Sequence, residues 1–437
     1  MPAPLKSFVS SRLIKTLLAV FLLSSSVAAT AAESITSNNI DAPYYSWVQL
    51  GAQGVQAKAL VTGFQCPDAV VDDQTIAMKV RVRANPTYPL TTCEATLPNT
   101  AKKISIAGET LPTPNLDPQR IVIFGDTGCR ITTRRGGIQD CNNPTRWPFA
   151  QVAAQVAKAE PDLVIHVGDY YYREMACPAG NEGCKGSPHG NNWVTWETDF
   201  FKPATPLLKA APWVMLRGNH ELCVVGGPGW FRMLDTHPYT STCREYSDPY
   251  WVRLTSFNLF VVDNANIDMK QTSANNKQLF SNYLKPLNQA EAANTWLLMH
   301  RPAWVVDHPE SEEIDPNGPA INTTRAEASW IKTLPATVQL IFSGHYHAFE
   351  TLSFESDRPG QVIVGTGGAL LEERPLEGDV NGMQVAGQKV DKGKVVPEFG
   401  YFVLDKTSTG WKGKLYNPYG QKLASCQIEK NQVSCRY

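Results

Sequence analysis

No CxxC pair, no block of basic residues and no second long apolar run occur in these 437 residues, and histidine is scarce, with eight in all. Each absence excludes something. Without closely spaced cysteine pairs a thiolate metal site has no scaffold. Without a basic block the electrostatic footprint of a nucleic-acid binder is missing, so nucleic acid is not expected as a partner. No later segment approaches the roughly 20 apolar residues that a spanning helix needs, so no membrane span is expected. The one long apolar stretch, "TLLAVFLL" at residues 16–23, is itself short of that length. It follows Lys6, Arg12 and Lys15 and precedes small residues up to Ala31, the order of a secretory signal peptide over residues 1–31. Removing that segment takes away three positive charges and no negative one, moving the formal charge from -1 to -4. The chain is therefore expected to be exported, to a periplasm or into the medium.

Export also accounts for the ten cysteines, all of which lie after residue 31. In an oxidising compartment they are expected as disulfides. They fall into neighbours along the chain: Cys66 with Cys93, Cys129 with Cys141, Cys177 with Cys184, Cys223 with Cys243, and Cys426 with Cys435. Nearest-neighbour pairing is the expectation, the last pair stapling the C-terminal end.

Residues 36–110 carry short β-type runs such as "AKALVTGF" and "IAMKVRVRA", in which Met78, Val80 and Val82 alternate with polar neighbours. They predict a small β-rich domain, followed by an extended proline-containing linker at 111–119. From residue 120 onward the pattern becomes apolar runs separated by helical stretches. The runs are 121–124, 163–167, 213–216, 259–263, 296–299 and 338–342. "PFAQVAAQVAKAE" places Phe149, Val152, Ala153 and Val156 on one helical face, and "NNKQLFSNYLKPL" and "TTRAEASWIKTL" read similarly. Near-continuous apolar strands joined by helices predict a layered α/β domain whose central strands are buried on both faces.

The chemistry stands where these strands end. Gly125-Asp126-Thr127-Gly128 follows the first and Gly168-Asp169 the second, with Tyr172 three residues on. Asn219-His220-Glu221 follows the third, His300 ends "WLLM", and Gly344-His345-Tyr346-His347 ends "VQLIF". Ligands gather at the carboxyl ends of strands in such folds. Carboxylate and imidazole donors together suit Zn, Fe or Mn, and one carboxylate can bridge two ions. Taken alone, a Gly-Asp pair is an ordinary turn; it is the five strand ends together that predict a metal centre. His166, inside an apolar strand, reads as a core histidine, and Glu221 as a residue that caps or orients its loop.

In this order GDTG, GDYYY, GNHE, LLMH and GHYH resemble the five signature blocks of the calcineurin-like metallophosphoesterases. The tyrosine of the second block and the GDxG opening resemble the purple acid phosphatase branch. The resemblance runs from about Ile121 to the "VGTGG" ending at Gly368 and on to the "FGYFVLD" strand, and is weaker over the first 115 residues. It implies a layered metallophosphoesterase sandwich, mixed β-sheets flanked by helices, over residues 120–437, preceded by the small β domain. It also implies Fe(III) on Asp126, Tyr172 and His347, with Asp169 bridging to a divalent Fe, Zn or Mn on Asn219, His300 and His345. Two such cations clamp a phosphate and generate a metal-bound hydroxide that attacks phosphorus. His220 then acts from outside the metal shell, on the phosphoryl oxygens or the leaving alkoxide.

This chain departs from the family pattern in two places. Arg173-Glu174 stands where many relatives carry Ala-Asp, followed by the insertion "MACPAGNEGCKGSPHGN". That insertion is either a pocket wall, with Arg173 or His189 near the phosphate, or a solvated loop. The family's further substrate histidine has no match, and His308, eight residues after His300, is the nearest substitute. The leading expectation is an exported phosphatase acting on small-molecule phosphate monoesters at acidic pH. The alternatives are a phosphodiesterase acting on nucleotides or lipid headgroups, or a secreted binding protein whose metal site is non-catalytic.

Overall fold

Each apolar run becomes a strand because its side chains find cover on both faces. In the computed structural model, which describes residues 43–133, 137–267, 274–289, 294–306, 321–323, 334–373 and 376–437, the runs form Arg120–Phe124, Leu163–His166, Trp213–Met215, Asn258–Val261, Thr295–Leu298 and Val338–Ser343. Among the described residues they divide between two large sheets. In the first, Arg120–Phe124, Leu163–His166 and Trp213–Met215 lie side by side and parallel, Val164 facing Val122 on one side and Trp213 on the other. In the second, Asn258–Val261, Thr295–Leu298, Val338–Ser343 and Gly360–Val364 are parallel neighbours.

The sheets pack face to face. Trp296, Leu298, Leu340 and Phe342 of the second sheet join one apolar core with Ile121 to Phe124 of the first, and Trp296 with Trp411 and Phe349 with Phe402 bridge the interface at 5.3 and 5.0 Å. The alternate residues Leu297, Met299 and Ile341 meet Phe280, Tyr283 and Leu287 of the helix Ala274–Gln289. On the other side the helix Phe149–Lys158 buries the expected Phe149, Val152, Ala153 and Val156, with Phe149 6.2 Å from Phe124. The result is a helix, sheet, sheet, helix sandwich, the α/β architecture expected. The helix expected at "TTRAEASWIKTL" lies, apart from its two ends, outside the described residues, as does the signal segment at 1–31.

The N-terminal β segment differs from the expectation of a domain apart. Tyr45–Gly51 pairs in parallel with Trp213–Met215 through Gln49 and Trp213, and Gly54–Val61, Thr91–Leu97 and Lys79–Val82 extend the same sheet outward. Among the described residues that sheet has eleven strands, ending on its other side in Gln432–Arg436. Its first strands are too apolar to stand at an edge; Trp47 is fully buried and packs on Phe201. A separate small sheet takes Asp68–Val71, Gln74–Ala77, Ile104–Ile106 and Glu109–Leu111. The expected alternation at Met78, Val80 and Val82 breaks, because a register shift between Val80 and Val82 turns Arg81 inward and Val80 outward. Arg81 can be buried because the Phe231, Arg232 and His237 carbonyls and the Glu94 carboxylate accept from it.

All five expected disulfides form: Cys66–Cys93, Cys129–Cys141, Cys177–Cys184, Cys223–Cys243 and Cys426–Cys435. Among the described residues no helix is long and apolar enough to cross a membrane.

Candidate metal centre

The carboxyl ends of the parallel strands in both sheets meet at one place. Asp126, Asp169, Tyr172 and Asn219 arrive from the first sheet, His300, His345 and His347 from the second. The turns that deliver them are unusual. Asp126, Asp169 and His345 all hold positive φ, at 57°, 60° and 70°, a region that costs non-glycine residues about 1–3 kcal/mol. Glycines allow the loops to touch. Gly168 has φ +103° with His300 beside it, and a Cβ on Gly218 would lie 2.1 Å from Asp169 Oδ1. The Gly-Asp and Gly-Asn pairs therefore reflect close packing of loop on loop as much as turn chemistry.

The seven side chains present more lone pairs than protons. Tyr172 Oη lies 3.0 Å from Asp126 Oδ1, 2.9 Å from Asp169 Oδ2 and 2.8 Å from His347 Nε2, yet a phenol has one proton to give. His347 uses Nδ1 to donate to the Leu370 carbonyl, and His300 uses Nδ1 to donate to that of Val167. Both rings thus turn Nε2 inward. For His300 that atom faces Asn219 Oδ1 at 3.0 Å and Asp169 Oδ2 at 3.1 Å. A second ring nitrogen tied to a backbone carbonyl is the usual support of a metal-binding histidine. Asp169, His300 and His345 bring ligand atoms within 4.8 Å of one another. Buried acceptors facing acceptors are costly unless a cation lies between them, so the donor set fits the implied metals.

The electrostatics agree. Burial, then the Asp126 and Asp169 carboxylates, push the Tyr172 phenol well above its ordinary range. Burial opposes a charge on His300, yet Asp169 lifts it to about 9, a proton occupying the place a cation can take. Burial, then Arg301 and His300, hold His345 well below its usual value.

His220 stands beside this cluster. Its ring stacks on Tyr172 with centroids 3.9 Å apart, its backbone N–H donates to Asp169 Oδ1, and Nδ1 lies 2.6 Å from Glu174 Oε1. Glu221 orients its loop as expected, its carboxylate accepting from the backbone N–H groups of Gly218, Asp169, Tyr170 and Tyr171. Burial and the Asp169 carboxylate push its pKa up to about 8, while the N–H donors pull the other way. His166 is the core histidine expected, stacked on Tyr170 and 3.1 Å from Thr127 Oγ1.

The substrate contacts come out differently. Arg173 is buried, its guanidinium held by Asp199 and Ser187 over the Trp147 ring, and so turned away from a phosphate role. His189 is exposed on the insertion, and His308 lies outside the described residues. Three side chains near the centre were not singled out as ligands of anything: Glu174, Arg130 and Arg301, whose Nη1 lies 3.1 Å from His345 Nε2. Arg301 directly follows a ligand candidate, a signal that was there to be read; Glu174 reaches His220 only through the fold.

Comparison with known proteins gives a consistent picture. The model of the calcineurin-like phosphoesterase family matches residues 119–349. The probable purple acid phosphatase 20 of Arabidopsis thaliana is 25% identical over 230 residues, 49% of this chain and 47% of that one, so the chain spans about half the length of that curated relative. Among solved structures, purple acid phosphatase PPD1 from yellow lupin (Lupinus luteus) seeds superposes with a TM-score of 0.57 at 15% identity, covering 88% of this chain and 74% of its own. PhoD gives 0.54 at 12% identity, covering 90% and 92%. At these identities the two structures speak for the fold alone.

Proposed function

The chain belongs to the calcineurin-like phosphoesterases, and on that premise we propose that it is an exported phosphatase of the purple acid branch, hydrolysing phosphate monoesters at acidic pH. The observation that carries this is the convergence of seven electron-pair donors from two sheets, with His220 poised beside them. Asp126, Tyr172 and His347 would hold Fe(III), Asp169 would be shared, and Asn219, His300 and His345 would hold a divalent Fe, Zn or Mn. When bound, such a pair supplies positive charge for the phosphoryl oxygens and acidifies water. The protein's own groups do the rest. The carbonyls of Val167 and Leu370 fix which nitrogen His300 and His347 present. Glu221 ties the Asp169 and Asn219 loops together through four backbone bonds. Glu174 Oε1, 2.6 Å from Nδ1 of His220, is an ion-pair partner for the protonated ring, which leaves Nε2 as the atom to pass a proton to the departing oxygen.

The test is metal analysis of the purified protein with its visible spectrum, for wild type and Tyr172→Phe. Two metals including iron, with a broad visible band that Tyr172→Phe abolishes, support the proposal, as does faster turnover of monoesters than diesters. Two metals without such a band, with diesters preferred, would replace it with a phosphodiesterase. Metals bound without hydrolysis of any phosphate ester would replace it with a binding protein.

A further inference from the structure

The candidate ligands are not equally covered. Asp126, Asp169, Tyr172, His300 and His347 are buried, while Asn219 and His345 are half-buried, as are His220 and Arg301 beside them. The centre therefore opens over Asn219 and His345, and an anion entering from solvent meets His220 and Arg301 on the way. His220 stands on the Tyr172 side, its ring stacked there. Arg301 stands on the His345 side, with Nη1 3.1 Å from His345 Nε2.

The loop that follows Asn258–Val261 holds Arg301 in this place. Arg301 Nε donates to the Ala265 carbonyl at 3.0 Å, its backbone N–H donates to Asn264 Oδ1, and Asn264 Nδ2 donates back to the Arg301 carbonyl. Both Asn264 and Ala265 are fully buried. Gly344 N–H donates to the His300 carbonyl, which ties the turn bearing Arg301 to the turn bearing His345.

The contact with His345 belongs to the metal-free site. A guanidinium carries donors only, so Nη1 donates here and Nε2 accepts. A metal ion on Nε2 would take that lone pair, and one on Nδ1 would require Nε2 to carry the ring proton. In either case Nε2 stops accepting. The bond from Nε to Ala265 does not depend on His345, so the guanidinium keeps its place at the opening while Nη1 turns to another acceptor. A phosphoryl oxygen is the acceptor an arginine matches best.

We propose that Arg301 is a substrate-binding residue, donating from Nη1 to a phosphoryl oxygen at the mouth of the centre. This rests on the phosphatase proposal above, and it supplies an anion contact that Arg173, turned away on Asp199, does not provide.

The experiment compares wild type, Arg301→Gln and Arg301→Lys, all metal-loaded. Elemental analysis gives metal content, calorimetry gives the affinity for inorganic phosphate, and steady-state kinetics are run on an aryl phosphate monoester. Arg301→Gln should keep its metals and bind inorganic phosphate about 10- to 100-fold more weakly. Its kcat/KM should fall by a similar factor, mostly through KM, as expected for a contact made before and during the reaction alike. Arg301→Lys, which keeps the charge but not the planar group anchored at Ala265, should fall between. Unchanged phosphate affinity and KM in Arg301→Gln would overturn the assignment. Weaker phosphate binding that tracks metal loss would also overturn it, revealing a structural role. Should Arg301→Gln not fold, Arg301→Lys decides alone: affinity and KM equal to wild type count against the contact, and weaker binding with metals retained supports it. A metal-loaded wild type that hydrolyses no phosphate ester would remove the phosphatase proposal, and the calorimetry would then decide the anion contact by itself.

Discussion

His220 is placed by its backbone bond to Asp169, by its stacking on Tyr172 and by the Glu174 carboxylate 2.6 Å from Nδ1, so it stands at the centre without being needed as a metal donor. His220→Ala should therefore retain its metals while turnover drops by about 10²–10⁴-fold, the usual worth of a placed proton donor; full turnover in a metal-replete variant would remove His220 from the chemistry. Gly218→Ala tests the packing of loop on loop. Its new Cβ would lie 2.3 Å from the Asp169 backbone N as well as against its carboxylate, so the two loops must part. The expected result is a metal-depleted protein destabilised by about 1–3 kcal/mol, read by metal analysis and chemical denaturation. The seven donors were legible because each stands just past an apolar run, where a strand must end. For Arg173 the sequence left a pocket wall and a solvated loop both open, because its pairing with Asp199, 26 residues on, arises only through the fold.

Among the elements, the N-terminal strands change most between sequence and structure. Short alternating runs look like a free-standing β unit when read locally, and nothing in them announces the parallel pairing of Gln49 with Trp213. The same join buries Lys58, whose ammonium sits 3.0 Å from Glu94 while Glu94 also pairs with Arg81. Burial, then the Arg81 charge, pull Lys58 down from its ordinary 10.5 to about 7. Between those two pH values the unfolded chain holds a proton that the folded one has released, so stability should rise with pH across that window. Below about pH 7 the full cost of burying the charge remains. Lys58→Met should lack this slope and be as stable as wild type or more so at pH 6, with the difference shrinking by a few kcal/mol toward pH 10. Denaturation curves of both proteins from pH 6 to 10 check it, and parallel curves would refute it.

At the scale of the whole molecule, the layered sandwich was legible because runs buried on both faces require two covering layers, and the helix face of Phe149, Val152, Ala153 and Val156 supplies one of them. Which strands share a sheet was not legible, since parallel neighbours such as Val164 and Val122 are far apart in the chain. The division of the donor set follows from that topology: four donors leave one sheet and three leave the other. Five disulfides staple the chain locally, none spanning more than 27 residues. Chelation of a metal-loaded sample should lower Tm and speed amide exchange at the Asp169 and His345 turns together, since a ligand bound only by the folded state stabilises it by mass action; an unchanged Tm would contradict this. Ions held between the sheets would thus serve as a sixth staple, one that joins the two halves of the sandwich and opens to a chelator or to acid where the other five open to a reductant.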